Sequence, residues 1–260
     1  MDDKQLTTPS PWQRLRRFTP ARVALGRAGD SLPTQALLSF QLDHARARDA
    51  VHLPFNAAHL AGQLAARGYS VIQVQSAAES RSLYLQRPDL GRRLSAGSRE
   101  ALTAHAGQAS GYDTLFIVAD GLSALATHQH ALPLIELAYS ALRDQGWRLA
   151  PIVVASQARV ALSDEIGELL DAGLTAMLIG ERPGLSVADS LGVYLTYGPR
   201  RGRTDAERNC ISNIHPHGLS YAYARDTLIY LMSQARRIKL TGVALKDERT
   251  AHDALAEPID

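Results

Sequence analysis

Residues 114–121 read TLFIVADG, an apolar run rich in β-branched and aromatic side chains that ends in an Asp-Gly turn signal. Helical patterns separate this run from its neighbours, and strands that are apolar throughout are typical of a parallel sheet covered by helices on both faces. The sequence therefore predicts an α/β fold with a doubly wound, Rossmann-like, mostly parallel sheet. Four further runs of the same kind complete the predicted sheet: YSVIQVQ at 69–75, LAPIVVAS at 149–156, LTAMLIGE at 174–181 and LGVYLTYG at 191–198.

The carboxyl ends of these strands are the predicted ligand site, because open α/β sheets bind ligands in the crevice beyond them. Polar and turn-forming residues gather there, at 119–121, 155–157, 180–184 and 197–199. The connections between and after the strands carry the predicted helices, over residues 77–98, 127–145, 163–172 and 221–239.

A helical region precedes the first predicted strand. Ser31 is a candidate cap for a helix whose apolar face carries Leu37, Leu38, Phe40 and Leu42, and a second predicted helix ends at Gly68. Three parts of the chain follow from this pattern: a flexible basic tail over residues 1–20, a small helical N-terminal region over 21–68 and a Rossmann-like domain over 69–260.

The basic segment at 12–27 allows two interpretations. It holds five arginines and no acid, and Trp12, Leu15 and Phe18 recur at every third position among them. One interpretation is a solvated, poorly ordered tail, and the other is a segment that becomes ordered on a partner chain.

Composition excludes several classes of protein. The chain has 260 residues, 45% of them hydrophobic and 21% charged, with a net charge of +2 and one cysteine. No apolar run is long enough for a membrane span, and the N-terminal sequence lacks the apolar core of a signal peptide, so we expect a cytoplasmic protein. A single cysteine excludes an internal disulfide, and the weak net charge gives no reason to expect a nucleic-acid partner.

The common catalytic signatures are absent. No GxGxxG follows a predicted strand, and no phosphate loop, HExxH or GxSxG motif occurs. Two His-x-His pairs, at 128–130 and 215–217, could contribute to a metal site, but pairs without a third ligand are more often hydrogen-bonding or surface histidines. We therefore assign no catalytic residue and no metal ligand.

The lone cysteine, Cys210, lies in a polar stretch, 204–224, that predicts a shaped loop leading into the last helix. Three roles are open for Cys210: an activated nucleophile, a buried inert thiol, or a packing contact with a bulky ligand. Glu181 and Arg182 directly follow an apolar strand, so they are either a surface cap or ligand contacts. An arginine cluster formed by Arg81, Arg87, Arg92 and Arg93 is either a solvated helix face or part of the site.

Many of these segments resemble one family. LIGERPGLSVADSLG at 178–192 is long and unusual, and it is similar to the small chain of ethanolamine ammonia-lyase. The same resemblance extends over LGRAGDSLPT at 25–34, FQLDHARARDAVHLP at 40–54, YLQRPDLGRRL at 84–94, VADGLSALA at 118–126, DEIGELL at 164–170, RNCISNIHPHGLSYA at 208–222 and LTGVALKD at 240–247.

The resemblance implies a subunit of an adenosylcobalamin-dependent lyase. In that family a large subunit with a TIM barrel holds the substrate, and the Rossmann-like small subunit encloses the cofactor. Several copies of each chain form a hetero-oligomer that converts ethanolamine to acetaldehyde and ammonia by a radical mechanism, and the small chain alone is inactive. The implied location is the cytoplasm, either free or inside a bacterial microcompartment.

The resemblance also implies cofactor contacts. The family's cobalamin-binding positions fall on Val160, Glu181 and Cys210, and Arg159 and Asp120 are candidate additional contacts. Proteins that replace the cobalamin base with an imidazole resemble one another in an Asp-x-His-x-x-Gly motif, and none of the nine histidines here follows an aspartate at that spacing. We therefore expect adenosylcobalamin in its base-on form. The rival hypothesis is an independent α/β enzyme or small-molecule-binding protein that uses the same crevice.

Overall fold

The structure of the chain is a computed structural model that describes residues 7–19, 21–106 and 111–249. Its strands are β1 (Val71–Gln75), β2 (Tyr112–Ala119), β3 (Ile152–Ser156), β4 (Ala172–Gly180), β5 (Leu191–Tyr197) and β6 (Arg208–Ile214). Its helices are α1 (Thr34–His52), α2 (Ala57–Ala65), α3 (Arg81–Gln86), α4 (Ala96–Ala106), α5 (Ala124–Asp144), α6 (Leu162–Leu169) and α7 (Tyr221–Ile238), with short 3-10 turns at Gln13–Arg17, Leu90–Arg92 and Asp205–Glu207.

The six strands form one mostly parallel sheet in the order β1-β3-β2-β4-β5-β6. The first four strands in this order pair in parallel, and β5 and β6 are added antiparallel at one side. The chain runs from β2 to its neighbour β3 and then crosses to β4 on the other side of β2. This reversal of direction is a topological switch point, where the loops after neighbouring strands separate and leave a crevice.

Alternating side chains of the central strand enter two hydrophobic cores. Phe116 and Val118 join the core formed with α2, α5 and α7, while Leu115 and Ile117 join the core formed with α4 and α6. This is the period of two that a strand imposes on its side chains. Because helices cover both faces, both faces are apolar, which explains the uninterrupted apolar runs in the sequence and confirms the predicted α/β fold.

The single helix predicted over 77–98 is wrong. Two helices, α3 and α4, occupy this stretch, and a 3-10 turn lies between them. Pro88 disfavours helical backbone at Arg87, whose φ and ψ of −125° and 74° lie outside the helical region. The segment between α3 and α4 is anchored to α6, because the backbone N–H of Leu94 donates to a carboxylate oxygen of Glu165 at 3.0 Å.

The loop predicted around Cys210 is also wrong, because this segment forms edge strand β6. Ile211 and Ile214 join the core and Arg208 is buried in an ion pair with Asp164, whereas Cys210, Ser212 and Asn213 are exposed. A register shift between β5 and β6 at Leu191/Val193 interrupts the pairing. An edge strand of mixed polarity with an interrupted period lacks the pattern that identifies a strand from sequence.

The helical N-terminal region leaves many of its large apolar side chains exposed to solvent. Helix α1 begins after Pro33 rather than at the expected cap, Ser31, and it buries only Ala50. Helix α2 packs into the same core as the sheet. Nine large apolar side chains between residues 12 and 53 are exposed: Trp12, Leu15, Phe18, Leu32, Leu37, Leu38, Phe40, Leu42 and Leu53. Of the predicted tail, residues 1–6 and 20 lie outside the described residues.

Gly180, the last residue of β4, allows the loop after β2 to pass directly against it. A Cβ atom there would lie 2.0 Å from the backbone oxygen of Ser123 and 2.6 Å from that of Asp120. We predict that Gly180→Ala lowers the free energy of unfolding by on the order of 3 kcal/mol, because two backbone segments must move apart. Urea unfolding of the purified chain measures this loss.

Gly62→Ala is the matched control, since no atom lies within 4 Å of a Cβ at this helical position. We expect this change to be neutral or to stabilise the chain by up to about 1 kcal/mol. Equal stabilities for the two variants would contradict the close packing at Gly180.

Candidate functional site

The crevice at the switch point is a cleft of about 420 Å³. Its walls come from the loops after three strands: Gly121 and Leu122 after β2, Arg159 and Val160 after β3, and Glu181 after β4. The complete lining is Tyr84, Gly121, Leu122, Arg159, Val160, Ile179, Gly180, Glu181, Arg182 and Tyr194.

Two other concavities are larger but lie away from the strand ends. One, of about 620 Å³, is lined by the N-terminal segment, α1 and Leu185, and another, of about 680 Å³, is lined by arginines around the buried carboxylate of Glu165. Arg99 and Arg201 already pair with Glu165, so its charge is satisfied within the chain. We take the strand-end cleft as the candidate site because it lies at the topological switch point and because the candidate residues Val160 and Glu181 line it.

A buried ion pair outside the lining supports the loop after β2 that forms one wall of the cleft. Asp120 is 1% exposed; its carboxylate accepts a hydrogen bond from Nη1 of Arg81 at 3.1 Å and another from the backbone N–H of Ala158 at 3.1 Å. Burial raises the pKa of Asp120 to about 6, although the Arg81 charge and the backbone donors partly offset this shift. Arg81 also donates to the backbone oxygens of Gly121 at 2.8 Å and Val51 at 2.8 Å.

Tyr84 lies beneath two guanidinium groups. The guanidinium carbon of Arg81 is 4.9 Å from the centre of the ring, and that of Arg159 is 4.3 Å away. The ring is fully buried, and its hydroxyl donates to the backbone oxygen of Ala158 at 3.1 Å. Burial raises the pKa of the Tyr84 phenol, so the ring is a neutral platform for cations at physiological pH.

Glu181 ties the end of β4 to the antiparallel side of the sheet. Its carboxylate accepts hydrogen bonds from the hydroxyls of Ser190 and Ser212 and from the backbone N–H of Asn213 at 3.2 Å. The carboxylate also packs against Gly192, where a Cβ would lie 2.9 Å from one of its oxygens. A carboxylate has about four acceptor positions, so Glu181 keeps capacity for one more donor from a ligand.

Cys210 lies beside the cleft rather than in its lining. It is paired with Tyr194 across β5 and β6, and the Tyr194 side chain lines the cleft. The residue is exposed, but surrounding protein partly shields the thiol from water, and this shielding together with the Glu181 carboxylate raises the pKa of Cys210. A raised pKa keeps the sulfur protonated and weakly nucleophilic, which disfavours the nucleophile interpretation.

Three of the four histidines of the His-x-His pairs make side-chain hydrogen bonds within the chain. Nδ1 of His130 lies 2.7 Å from the Tyr221 hydroxyl, His128 accepts from a backbone N–H at 3.2 Å, and Nε2 of His215 lies 3.0 Å from Oδ1 of Asn213. Across the described part of the chain, no three His, Cys, Asp or Glu side chains come together in a way that could hold a metal ion.

The structure thus places Val160 and Glu181 in one cleft with Cys210 at its margin. Asp120 does not line the cleft; it is buried beside it in the ion pair with Arg81. Tyr84 is a site residue that the sequence did not indicate, because a tyrosine in a short helix carries no distinguishing pattern. The arginine cluster divides: Arg81 forms the ion pair beside the cleft, whereas Arg87 is solvent-facing and pairs with a nearby aspartate.

Comparison with known proteins gives consistent matches over nearly the whole chain. The family described as ethanolamine ammonia-lyase light chain (EutC) matches residues 9–246. A protein of Azotobacter vinelandii named ethanolamine ammonia-lyase small subunit is 58% identical over 249 residues, which cover 95% of this chain and 92% of the relative. Proteins of the same name from Ralstonia nicotianae, at 57% identity with 95% and 92% coverage, and from Pseudomonas fluorescens, at 56% with 94% and 89%, are similarly close.

The raised pKa of Asp120 generates a prediction on stability. A carboxyl group with a folded pKa of about 6 and an unfolded pKa of about 3.8 favours folding most below the lower value, and this contribution is lost as the pH rises through the higher one. We predict that the free energy of unfolding of the native chain falls, relative to that of Asp120→Asn, by on the order of 2 kcal/mol between pH 4 and about pH 7. Denaturant unfolding at a series of pH values measures the difference.

Asp30 is exposed, so Asp30→Asn, which removes one carboxylate charge from the surface, is the control. A pH-independent difference between the native chain and Asp120→Asn would show that the carboxyl group titrates as an ordinary exposed aspartate, contrary to its burial.

Proposed function

The chain belongs to the ethanolamine ammonia-lyase light chain family, and from this premise we propose that it is the cobalamin-holding small subunit of an adenosylcobalamin-dependent lyase. The observation that carries the proposal is the strand-end cleft, because two of the family's cofactor positions, Val160 and Glu181, line it together. The large subunit would hold ethanolamine, and the complex would release acetaldehyde and ammonia, in the cytoplasm or in a microcompartment there.

The residues of the cleft suit a corrinoid. Such a cofactor has a broad apolar ring edge, a rim of carboxamides and a nucleotide tail with a phosphodiester. Leu122, Val160 and Ile179 offer apolar contact, and the free acceptor capacity of Glu181 suits an amide N–H or a hydroxyl. Arg159 also lines the cleft, and the edge of its guanidinium suits an anionic group of the ligand.

When bound, the cofactor supplies a carbon-centred radical through homolysis of its Co–C bond. The tasks of this chain are binding and enclosure. Glu181 would orient a polar group on the cofactor, Val160 and Leu122 would exclude water from the ring edge, and the thiol of Cys210 would provide a packing contact at the margin. The rings of His128, His130 and His215 are engaged in hydrogen bonds within the chain, which supports a cofactor that keeps its own base on cobalt.

A partner chain accounts for the exposed apolar side chains of the N-terminal region. Helix α1 exposes Leu37, Leu38, Phe40 and Leu42, and so many large exposed apolar side chains on one helix favour an interaction surface. The relatives are named small subunits, so the occupant we propose is the large subunit. No helix among the described residues has the length and apolarity that a membrane span requires.

We predict that the purified chain alone neither deaminates ethanolamine nor retains cobalamin. Turnover should appear only when the chain is mixed with the large subunit and adenosylcobalamin, because the cofactor then becomes enclosed on both sides. Coupled detection of acetaldehyde measures turnover, and gel filtration with absorbance of the corrin measures retention. Turnover by the isolated chain would support the rival hypothesis of an independent enzyme.

The same mixture tests the partner surface. Leu38→Glu with Phe40→Glu should abolish co-elution with the large subunit, since charges would be buried in the interface. Glu136→Lys, on the exposed part of α5, is a control that should co-elute normally. Normal co-elution of the double variant would exclude α1 as the contact.

Cys210 provides a direct probe of the cofactor contact, because it is the only cysteine in the chain. We predict that bound cobalamin slows alkylation of Cys210 in the two-subunit complex by at least about tenfold, and that Cys210→Ala keeps substantial turnover. Mass spectrometry of the small chain measures alkylation, with the cofactor-free complex as the reference. Unchanged alkylation in a cobalamin-loaded complex would remove Cys210 from the contacts.

A further inference from the structure

Two arginines in the strand-end cleft have no acidic partner. Arg159 and Arg182 both line the cleft, and neither takes part in an ion pair among the described residues. The third cation of the site, Arg81, is neutralised by Asp120. Counting the one remaining anion, Glu181, the two free arginines leave the cleft with a net charge of +1.

Arg159 is held in a fixed position despite having no acidic partner. Its guanidinium lies over the Tyr84 ring at 4.3 Å, and its backbone N–H donates to the backbone oxygen of Gly91 at 2.8 Å. A Cβ on Gly91 would come within 2.9 Å of both the Arg159 side chain and the Tyr84 ring, so Gly91 provides the room for this stack. Stacking occupies the face of a guanidinium and leaves the N–H groups at its edge free to donate.

The edge of Arg159 includes an atom that is costly to leave unpaired. Its Nε is buried and has no hydrogen-bond partner within the chain. A buried donor of a charged group is normally satisfied, and no group of the described chain satisfies this one. Guanidinium edges bind phosphate and carboxylate oxygens by paired hydrogen bonds, so the chemistry points to an anion.

We propose that Arg159, with Arg182 beside it, is the anion-binding part of the cleft and takes the phosphodiester of the corrinoid nucleotide tail. This inference depends on the proposed function, since it names which group of the cofactor the arginines bind. A phosphodiester carries one negative charge, which matches the net charge of the cleft. The carboxylate of Glu181 does not prevent binding of the phosphodiester, because three donors of the chain already bind that carboxylate.

The test compares two corrinoids on the complex of this chain with the large subunit. Cyanocobalamin contains the phosphodiester, and dicyanocobinamide lacks the phosphodiester together with the base. Arg159→Gln should weaken cyanocobalamin binding about 10- to 150-fold, the effect of losing a hydrogen bond to a charged group, and should leave dicyanocobinamide binding within about twofold. Arg182→Gln, at an exposed position, should weaken cyanocobalamin in the same direction by a smaller factor.

Controls separate this outcome from others. Arg87→Gln, which removes an exposed arginine paired with Asp89, should leave both dissociation constants unchanged.

Equal losses on both corrinoids, or no loss on either, in variants with native circular dichroism would overturn the proposal. Arg159-dependent binding of inorganic phosphate to the cobalamin-loaded complex would also overturn it, because the anion would then be free phosphate. If the native complex binds neither corrinoid, the proposed function itself fails, and that result is distinct from failure of Arg159 alone.

Discussion

The ion pair between Arg81 and Asp120 is the interaction that brings the separate parts of the site together. Asp120 follows β2 and accepts from Ala158 after β3, while Arg81 opens α3 and donates to Val51 near the end of α1. One buried pair therefore joins two strand ends to two helices. Because Val51 belongs to the helix with the exposed apolar surface, one hydrogen-bond network connects the proposed partner surface to Gly121 in the wall of the cleft.

Such a pair is a poor source of stability by itself, since the desolvation of two charges offsets much of their attraction. The raised pKa of Asp120 is the sign of that cost. The pair instead fixes the positions of the loops after β2 and β3. Each member has directional hydrogen bonds to backbone groups, so a shift of either loop would leave a buried charge unsatisfied. The platform of Tyr84, with Arg159 over it, depends on the same arrangement because Arg81 lies over the same ring.

The sheet and its faces were predictable because burial on both faces requires continuous apolar runs. All five strands predicted from such runs are present, and the helices after them begin within a few residues of the expected positions. The two failures have local causes. Pro88 interrupts what is otherwise a helical pattern, and β6 is an edge strand whose exposed positions remove the apolar signal around Cys210.

The sequence alone determined the fold class, and it also predicted a ligand site at the strand ends and, through its resemblance to one family, the contact residues Val160, Glu181 and Cys210. Tertiary structure alone decided which side chains of that site are free to bind. The sequence does not distinguish Arg81 from Arg159. In the structure Arg81 is neutralised by Asp120, whereas Arg159 is stacked on Tyr84 without an acidic partner. The physical reason is that charge pairing and desolvation depend on distances between residues far apart in the chain, and no local pattern of sequence encodes those distances.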